Sequence, residues 1–214
     1  MFIPIILQEI RDCHIEFFKG DSLSKVISCE IRGLIKMAVK FTIHESVLEK
    51  AELTDETGVV ITDTVRGTGE REFCDYSLCT SVTIPNGVTH IGDGAFASCD
   101  WLAGVEIPNS VTSIGNKTFF DCYSLATITI PDSVISIGDN AFADCNQLEN
   151  VIILGGVTDI GYRAFAWCES LSTITIPDSV TSIGSEAFAW CCKDLVIHAP
   201  AGSYAERYAN KNDS

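Results

Sequence analysis

Basic residues are scarce once the chain passes position 50. Residues 51–214 hold seven Lys or Arg against 22 Asp or Glu, whereas residues 1–50 hold seven of each. A surface with that balance repels phosphate backbones and favours solubility, so nucleic acid is excluded as an expected partner. Long apolar runs are absent too. No stretch approaches the roughly 20 residues that cross a bilayer, and no transmembrane segment is expected. The opening "MFIPIILQEIRDC" has no basic start and no small-residue cleavage site, so it reads as a poor secretion signal. The compartment stays open between the cell interior and a processed fragment. Catalytic signatures are missing as well. His14, His44, His90 and His198 are scattered without metal-ligand spacing. There is no nucleophile elbow, phosphate loop or paired-carboxylate motif. No catalytic, cofactor-binding or metal residue is therefore assigned. Asp93 and Asp139 fall at one phase of the pattern described next, either attracting cations at a corner or serving as solvated turn residues.

What is abundant is repetition. The chain is 46% hydrophobic and 20% charged, enough to build a core. Shifting it against itself by 23 residues aligns Phe96, Phe119, Phe142, Phe165 and Phe188 in one column. Cys99, Cys122, Cys145, Cys168 and Cys191 form a second column. Ile91, Ile114, Ile137, Ile160 and Ile183 form a third, each followed by glycine. Leu102, Leu125, Leu148 and Leu171 extend the pattern. Eroded copies flank it: "VVITDTVRGTGEREF" (59–73) at the start and "LVIHAP" at the end, for about seven turns in all. Terminal repeats are atypical because one of their faces meets solvent.

Each period reads as a structural unit. "LATITIP" alternates, with Ile128 and Ile130 on one side and Thr127 and Thr129 on the other, the pattern of a half-buried strand. A Pro-Asn or Pro-Asp pair then ends the strand, as at Pro131-Asp132. The fourth repeat uses "LGG" (154–156), a turn expected from flexibility. The recurrent glycine after Ile suits a tight or positive-φ corner. "AFxxC" is expected to be a short helical or irregular return segment that turns Phe and Cys inward. One period cannot fold alone: its core side chains contribute roughly 1.5–3 kcal/mol each, while ordering each residue costs roughly 1–2 kcal/mol. Neighbouring turns must therefore pair as a parallel sheet with strands about 4.8 Å apart.

The run Leu-x-x-Val/Ile-x-Ile-Pro-x-x-Val-x-x-Ile-Gly-x-x-Ala-Phe-x-x-Cys closely resembles the BspA-like leucine-rich repeats over residues 54–200. The resemblance implies an α/β, β-rich fold: a right-handed leucine-rich-repeat solenoid with parallel in-register strands. It also implies adhesion or protein binding through a concave face, at the surface of, or secreted by, host-associated microbes. "HAPAGSYAERYAN" resembles the segment that commonly ends such arrays, so residues 201–214 are expected to be a helical cap and tail, with Tyr204, Ala205 and Tyr208 packing on the last turn.

Residues 1–53 lack the period and are expected to form a small α+β N-terminal cap or an appended segment. "CHIEFFKG" and "SKVISCEIRG" read as strands, "LIKMAVKFTI" as a third, and "HESVLEKAEL" as a short amphipathic helix. Over 14–60, "EFFKGDSL" and "TGVVI" faintly resemble the segment preceding GIY-YIG nuclease domains. The nuclease's own catalytic residues would follow Gly58, where the repeats begin instead.

Ten cysteines invite a disulfide framework. In-register neighbours about 4.8 Å apart, however, hold their Cβ atoms beyond the usual bridge separation of about 3.5–4.5 Å. A ladder of reduced thiols is the expectation, over one or two bridges or a metal. Cys74, Cys79 and Cys192, outside the column, are the exceptions to watch.

The outward strand positions form a polar, Thr-rich face. Thr127, Thr129, Thr173 and Thr175 are its candidate partner-binding residues, with Trp167 and Trp190 stacked at its edge and Trp101 and Tyr123 in nearby slots. The aromatics either serve binding or simply pack on the convex side. The expected function is non-enzymatic capture of a protein or glycan partner. The rivals are an enzyme fragment in the N-terminal segment with the repeats as targeting arm, and a structural spacer. No motif specifies the ligand or the oligomeric state.

Overall fold

The computed structural model of the protein describes residues 51–53, 58–61, 68 and 79–212. The strands expected within residues 1–50, and the first-repeat positions Phe73 and Cys74, lie outside them. Among the described residues, thirteen strands and one helix follow in order: β1 (Ala51–Leu53), β2 (Gly58–Ile61), β3 (Ser81–Thr83), β4 (His90–Ile91), β5 (Gly104–Glu106), β6 (Ser113–Ile114), β7 (Thr127–Ile130), β8 (Ser136–Ile137), β9 (Asn150–Ile153), β10 (Asp159–Ile160), β11 (Thr173–Thr175), β12 (Ser182–Ile183), β13 (Val196–His198) and α1 (Tyr204–Asn212).

The architecture is a parallel-strand solenoid in which every parallel strand pair is offset by one period. Val82 faces Val105, Ile128 faces Val151, and Ile174 faces Ile197. Each of five turns carries two strands, where the sequence pattern showed one. The shorter strands, β4, β6, β8, β10 and β12, make a second parallel sheet of their own. The longer strands were expected to form one continuous sheet. They form two ladders instead, β1-β2-β3-β5 and β7-β9-β11-β13, interrupted between β5 and β7. Gly104 opens β5 and has nothing within 4 Å of where a side chain would stand. A strand glycine offers no side chain to pack and weakens pairing there. At the start of the array, Ala51–Leu53 belonged to the expected helix 44–53, but these residues pair antiparallel with β2 as β1. Ladder hydrogen bonds to Gly58–Ile61 override a local helix preference that three residues cannot enforce.

Between the sheets the columns become a continuous core. Phe96, Phe119, Phe142 and Phe165 are fully buried, as are the matching Cys, Leu and Val positions. The phenyl rings lie in one near-parallel stack, with centroids 5.3, 5.2, 5.1 and 5.6 Å apart from Phe96 to Phe188. At the far end Ala205 is fully buried and Tyr208 meets Phe188 edge-on at 5.9 Å, so α1 lies against the last turn. Tyr204, also expected to pack there, is exposed, with the Arg207 guanidinium over its ring.

The return segment is irregular, not helical. Gly94, Lys117, Asn140, Arg163 and Glu186 have φ between 53 and 62°, and Ser98, Asp121, Asp144, Trp167 and Trp190 between 57 and 63°. Two left-handed corners per turn thus flank each Phe, most of them built without glycine. The glycine after Ile has a different cause. Gly115, Gly138, Gly161 and Gly184 do not have positive φ, but a Cβ on each would stand 2.5–2.6 Å from an atom of the preceding turn. Close approach, not conformation, demands them. The same holds for Gly156 of "LGG", whose Cβ would lie 1.7 Å from the Asp132 carbonyl oxygen; that turn is tight, not flexible.

Two outcomes follow for denaturant titrations. Phe142→Ala should cost roughly 3–5 kcal/mol, as buried Phe truncations do, and Phe188→Ala, half-buried on the last turn, clearly less. Equal losses would contradict a core built turn on turn. Gly138→Ala should lose about 1–3 kcal/mol to overpacking, whereas Gly104→Ala should be neutral or gain up to about 1 kcal/mol. Tolerance of alanine at Gly138 would refute the close-approach explanation.

Candidate binding surface

The strands position the predicted threonines as their alternation requires. Thr127, Thr129 and Thr175 are exposed and Thr173 is half-buried, while Ile128, Ile130 and Ile174 point into the core. Strand pairing sets them in two rows: Thr127, Asn150 and Thr173 in one, Thr129, Ile152 and Thr175 in the other. Within the first row the Thr173 hydroxyl donates to Asn150 Oδ1 at 3.1 Å. Ile152, 37% exposed, puts an apolar side chain between two threonines. Its signal was the broken alternation of "NVIIL", which gives an isoleucine where the neighbouring turns have threonine. The break between β5 and β7 confines this hydrogen-bonded block to β7, β9, β11 and β13.

Trp167 and Trp190 are carried by a different part of each turn, at the second left-handed corner of the return segment. Their rings stack 4.5 Å apart at 9°. Arg163 ties them into a cluster that single-copy residues gave no repeat signal for. Its guanidinium lies 4.8 Å from the Tyr162 ring centroid, 5.1 Å from Trp167 and 5.4 Å from Trp190. Glu186 of the next turn holds it, accepting from Nε at 2.7 Å and pairing with Nη2 at 2.6 Å. Trp190 is 54% exposed, and Trp101 and Tyr123 are exposed on other turns. Acidic groups share this side. Burial, with Asp100 and Asp144 nearby, raises the Asp121 carboxyl; burial, with Glu169 nearby, raises that of Asp144.

Asp93 and Asp139, the candidate cation corner, are engaged with backbone. Asp93 Oδ1 accepts from the Asn116 N–H at 2.6 Å, Asn116 Oδ1 from the Asp139 N–H at 2.8 Å, and Asp139 Oδ1 from the Tyr162 N–H at 2.8 Å. Each side chain thus caps its counterpart one turn on. Among the described residues no group of three His, Cys, Asp or Glu side chains is placed to hold a metal, and no helix is long and apolar enough to cross a membrane.

The described cysteines carry free thiols, and four of the column donate to a main-chain carbonyl of the preceding turn. Cys122, Cys145, Cys168 and Cys191 point Sγ at the carbonyls of Phe96, Phe119, Phe142 and Phe165, each at 3.1 Å. Burial raises the thiols of Cys122, Cys145 and Cys168 well above the usual value near 9, and brings Cys191 to about 11. Only the thiolate is a good nucleophile, so this column is chemically quiet at neutral pH. The folded state keeps these protons while the unfolded chain releases them near pH 9, so the unfolded chain binds fewer protons above that point. Stability from the column is complete below about pH 9 and is lost as pH rises past it toward 11 and beyond. Melting temperature should fall through that range, and less steeply for a variant with Cys122, Cys145 and Cys168 changed to Ala. Mass-mapped alkylation at neutral pH should label Cys191 and Cys192, both half-buried, before the other described cysteines. Rapid native labelling at Cys145 would contradict the buried ladder.

Stacked 23-residue turns, each lending one strand to a polar outward face, define a leucine-rich-repeat solenoid. The chain belongs to the family described as the BspA type leucine rich repeat region, whose profile matches residues 67–194 in six copies. No curated protein matches it significantly. Among solved structures it is similar to a leucine rich cell surface protein of Faecalibacterium prausnitzii, at 33% identity and a TM-score of 0.56, over 75% of this chain and 40% of that one. A leucine-rich repeat protein of Eubacterium ventriosum matches at 28% identity and a TM-score of 0.60, over 73% and 43%. The pneumococcal vaccine antigen PcpA shares the fold at 20% identity and a TM-score of 0.63, over 87% and 50%. The chain thus spans half or less of the length of each of these three proteins.

Proposed function

We propose that this chain is a non-enzymatic recognition module that binds a protein or glycan partner through the outward face of β7–β13. The observation that carries this reading is the rigid grid itself. Hydroxyls of Thr127, Thr129, Thr173 and Thr175 surround the exposed Ile152 on hydrogen-bonded strands, over side chains that are fully buried. Binding surfaces concentrate their energy in a few central apolar or aromatic anchors ringed by polar contacts. Ile152 is such an anchor, and Trp167 and Trp190 extend the contact at the edge. A rigid face also loses little conformational entropy on binding. The excess of acid over base beyond residue 50 steers basic partners and disfavours nucleic acid. Similarity to a cell surface protein supports action at the cell surface or outside the cell.

The intact protein, immobilised and exposed to extracellular-matrix and cell-surface extracts, should retain a ligand that the Thr127→Lys, Thr129→Lys, Thr173→Lys, Thr175→Lys variant captures about tenfold less well, the scale of a hot-spot loss. The variant should keep its melting temperature, because these side chains point away from the core, and added salt should slow capture of a basic partner. Equal capture by a folded variant would move the site off the strand face. Phosphodiester cleavage by the intact protein would instead favour a nuclease-related role for residues 14–60.

A further inference from the structure

The return segments build a third ladder between turns, and it runs in one direction only. N–H groups of Lys117, Phe119 and Asp121 donate to the carbonyls of Asp139, Ala141 and Ala143 one turn on, at 2.8, 2.7 and 2.9 Å. Asn140, Phe142 and Asp144 donate likewise to Tyr162, Ala164 and Ala166. Arg163, Phe165 and Trp167 donate to Ser185, Ala187 and Ala189 at 3.2, 2.8 and 2.9 Å. The intervening N–H groups close local turns, as Ala187 does to Gly184 and Ala189 to Glu186. On the last turn the corresponding donors are Glu186, Phe188 and Trp190, and they meet no acceptor among the described residues.

Beyond these donors lies a cleft of about 720 Å3 between the last return segment and α1, whose lining mixes apolar Phe188, Leu195 and Tyr208 with charged Glu186, Lys193 and Glu206. It continues the turn-on-turn interface: β12 and β13 are the outermost strands of their sheets at this end. The helix crosses it with one ring, Tyr208 on the edge of Phe188, while Trp190 keeps a face beyond its stack with Trp167. Unpaired backbone donors in a row are a template for another chain.

We propose that this cleft receives a loop of a partner protein that adds to the array as one further turn. The preceding turns specify its chemistry. Three of its alternate carbonyls accept from Glu186, Phe188 and Trp190. The residues bearing the second and third are small, because Ala141 and Ala143, Ala164 and Ala166, and Ala187 and Ala189 hold these positions in successive turns, whereas the first position varies, with Asp139, Tyr162 and Ser185. A flat side chain following the third of these residues lies on Trp190, as Trp190 lies on Trp167. This site is at the end of the array, so the fourfold threonine variant leaves it intact and the two surfaces fail or succeed separately.

The test uses the full chain and a synthetic peptide, Gly-Ser-Glu-Ala-Phe-Ala-Trp, which copies residues 184–190. Amide exchange read by NMR should show Glu186, Phe188 and Trp190 exchanging at least about tenfold faster than Arg163, Phe165 and Trp167 in the free protein. Millimolar peptide should slow those three amides selectively, a scrambled peptide should not, and Trp190→Ala should weaken the effect several-fold through the lost stack. Protection of the three amides in the free monomer, or indifference to the peptide, would overturn the proposal. Protection that appears only as protein concentration and oligomer size rise would overturn it in favour of a second copy seated in the cleft.

Discussion

Every turn of this protein must satisfy its main chain with the turns beside it, because no turn is long enough to satisfy its own. Buried backbone groups without partners are costly, so the spacing between turns is dictated by hydrogen bonding before any side chain is placed. The details of the repeat follow. Alternate N–H groups of the return segment reach the next turn only if the chain bends sharply on both sides of Phe, hence the left-handed corners at positions such as Lys117 and Asp121. The chain must also pass within contact distance of its neighbour at Gly138 and Gly161, which leaves no room for a Cβ. The side-chain caps of Asp93, Asn116 and Asp139, and the thiols of the cysteine column, fill the remaining main-chain valences by the same rule of one partner per turn. Phenyl stacking at about the strand spacing is then an outcome of the backbone lattice, not its cause.

That lattice determines what kind of surface the protein offers. Inward positions are consumed by packing, and little freedom remains there. Outward positions on the strands are released from it, so Asn150, Ile152 and the threonines differ without disturbing the register. The interruption between β5 and β7 breaks one strand ladder only, at a glycine that offers its neighbours nothing to pack on, while the second sheet and the phenyl stack run through. The Arg163 cluster shows a second kind of freedom. Left-handed corners turn side chains outward, and three aromatic rings and an ion pair have been assembled on that exposed side.

The fold was largely legible in the sequence because the constraint repeats. A requirement met five times at equal spacing leaves a column, and the columns of Phe, Cys, Ile and Gly named the inner strand face, the core and the tight corner. What escaped detection lacked either length or repetition. The two-residue strands such as Ser136–Ile137 are too short to show alternation. The left-handed corners were hidden because Lys117, Arg163 and Trp190 occupy them, residues that advertise no such conformation. Ala51–Leu53 misled because three residues of helical composition say little about a hairpin partner. The outward threonines could be placed from alternation alone, but the union of Tyr162, Arg163, Trp167, Glu186 and Trp190 depended on neighbouring turns, each contributing a different letter.

The uniform offset between bonded partners also means that the length of the array is not written into its fold. Residues 124–145 and 170–191 are near-identical phrases two periods apart, and each meets its neighbours through the same donors and acceptors. A unit of 23 residues removed or inserted in phase within β7 to β11 leaves the strand partners matched as before. The protein is in that sense a ruler graduated at about 4.8 Å per turn, whose reach is set by how many times one phrase is copied.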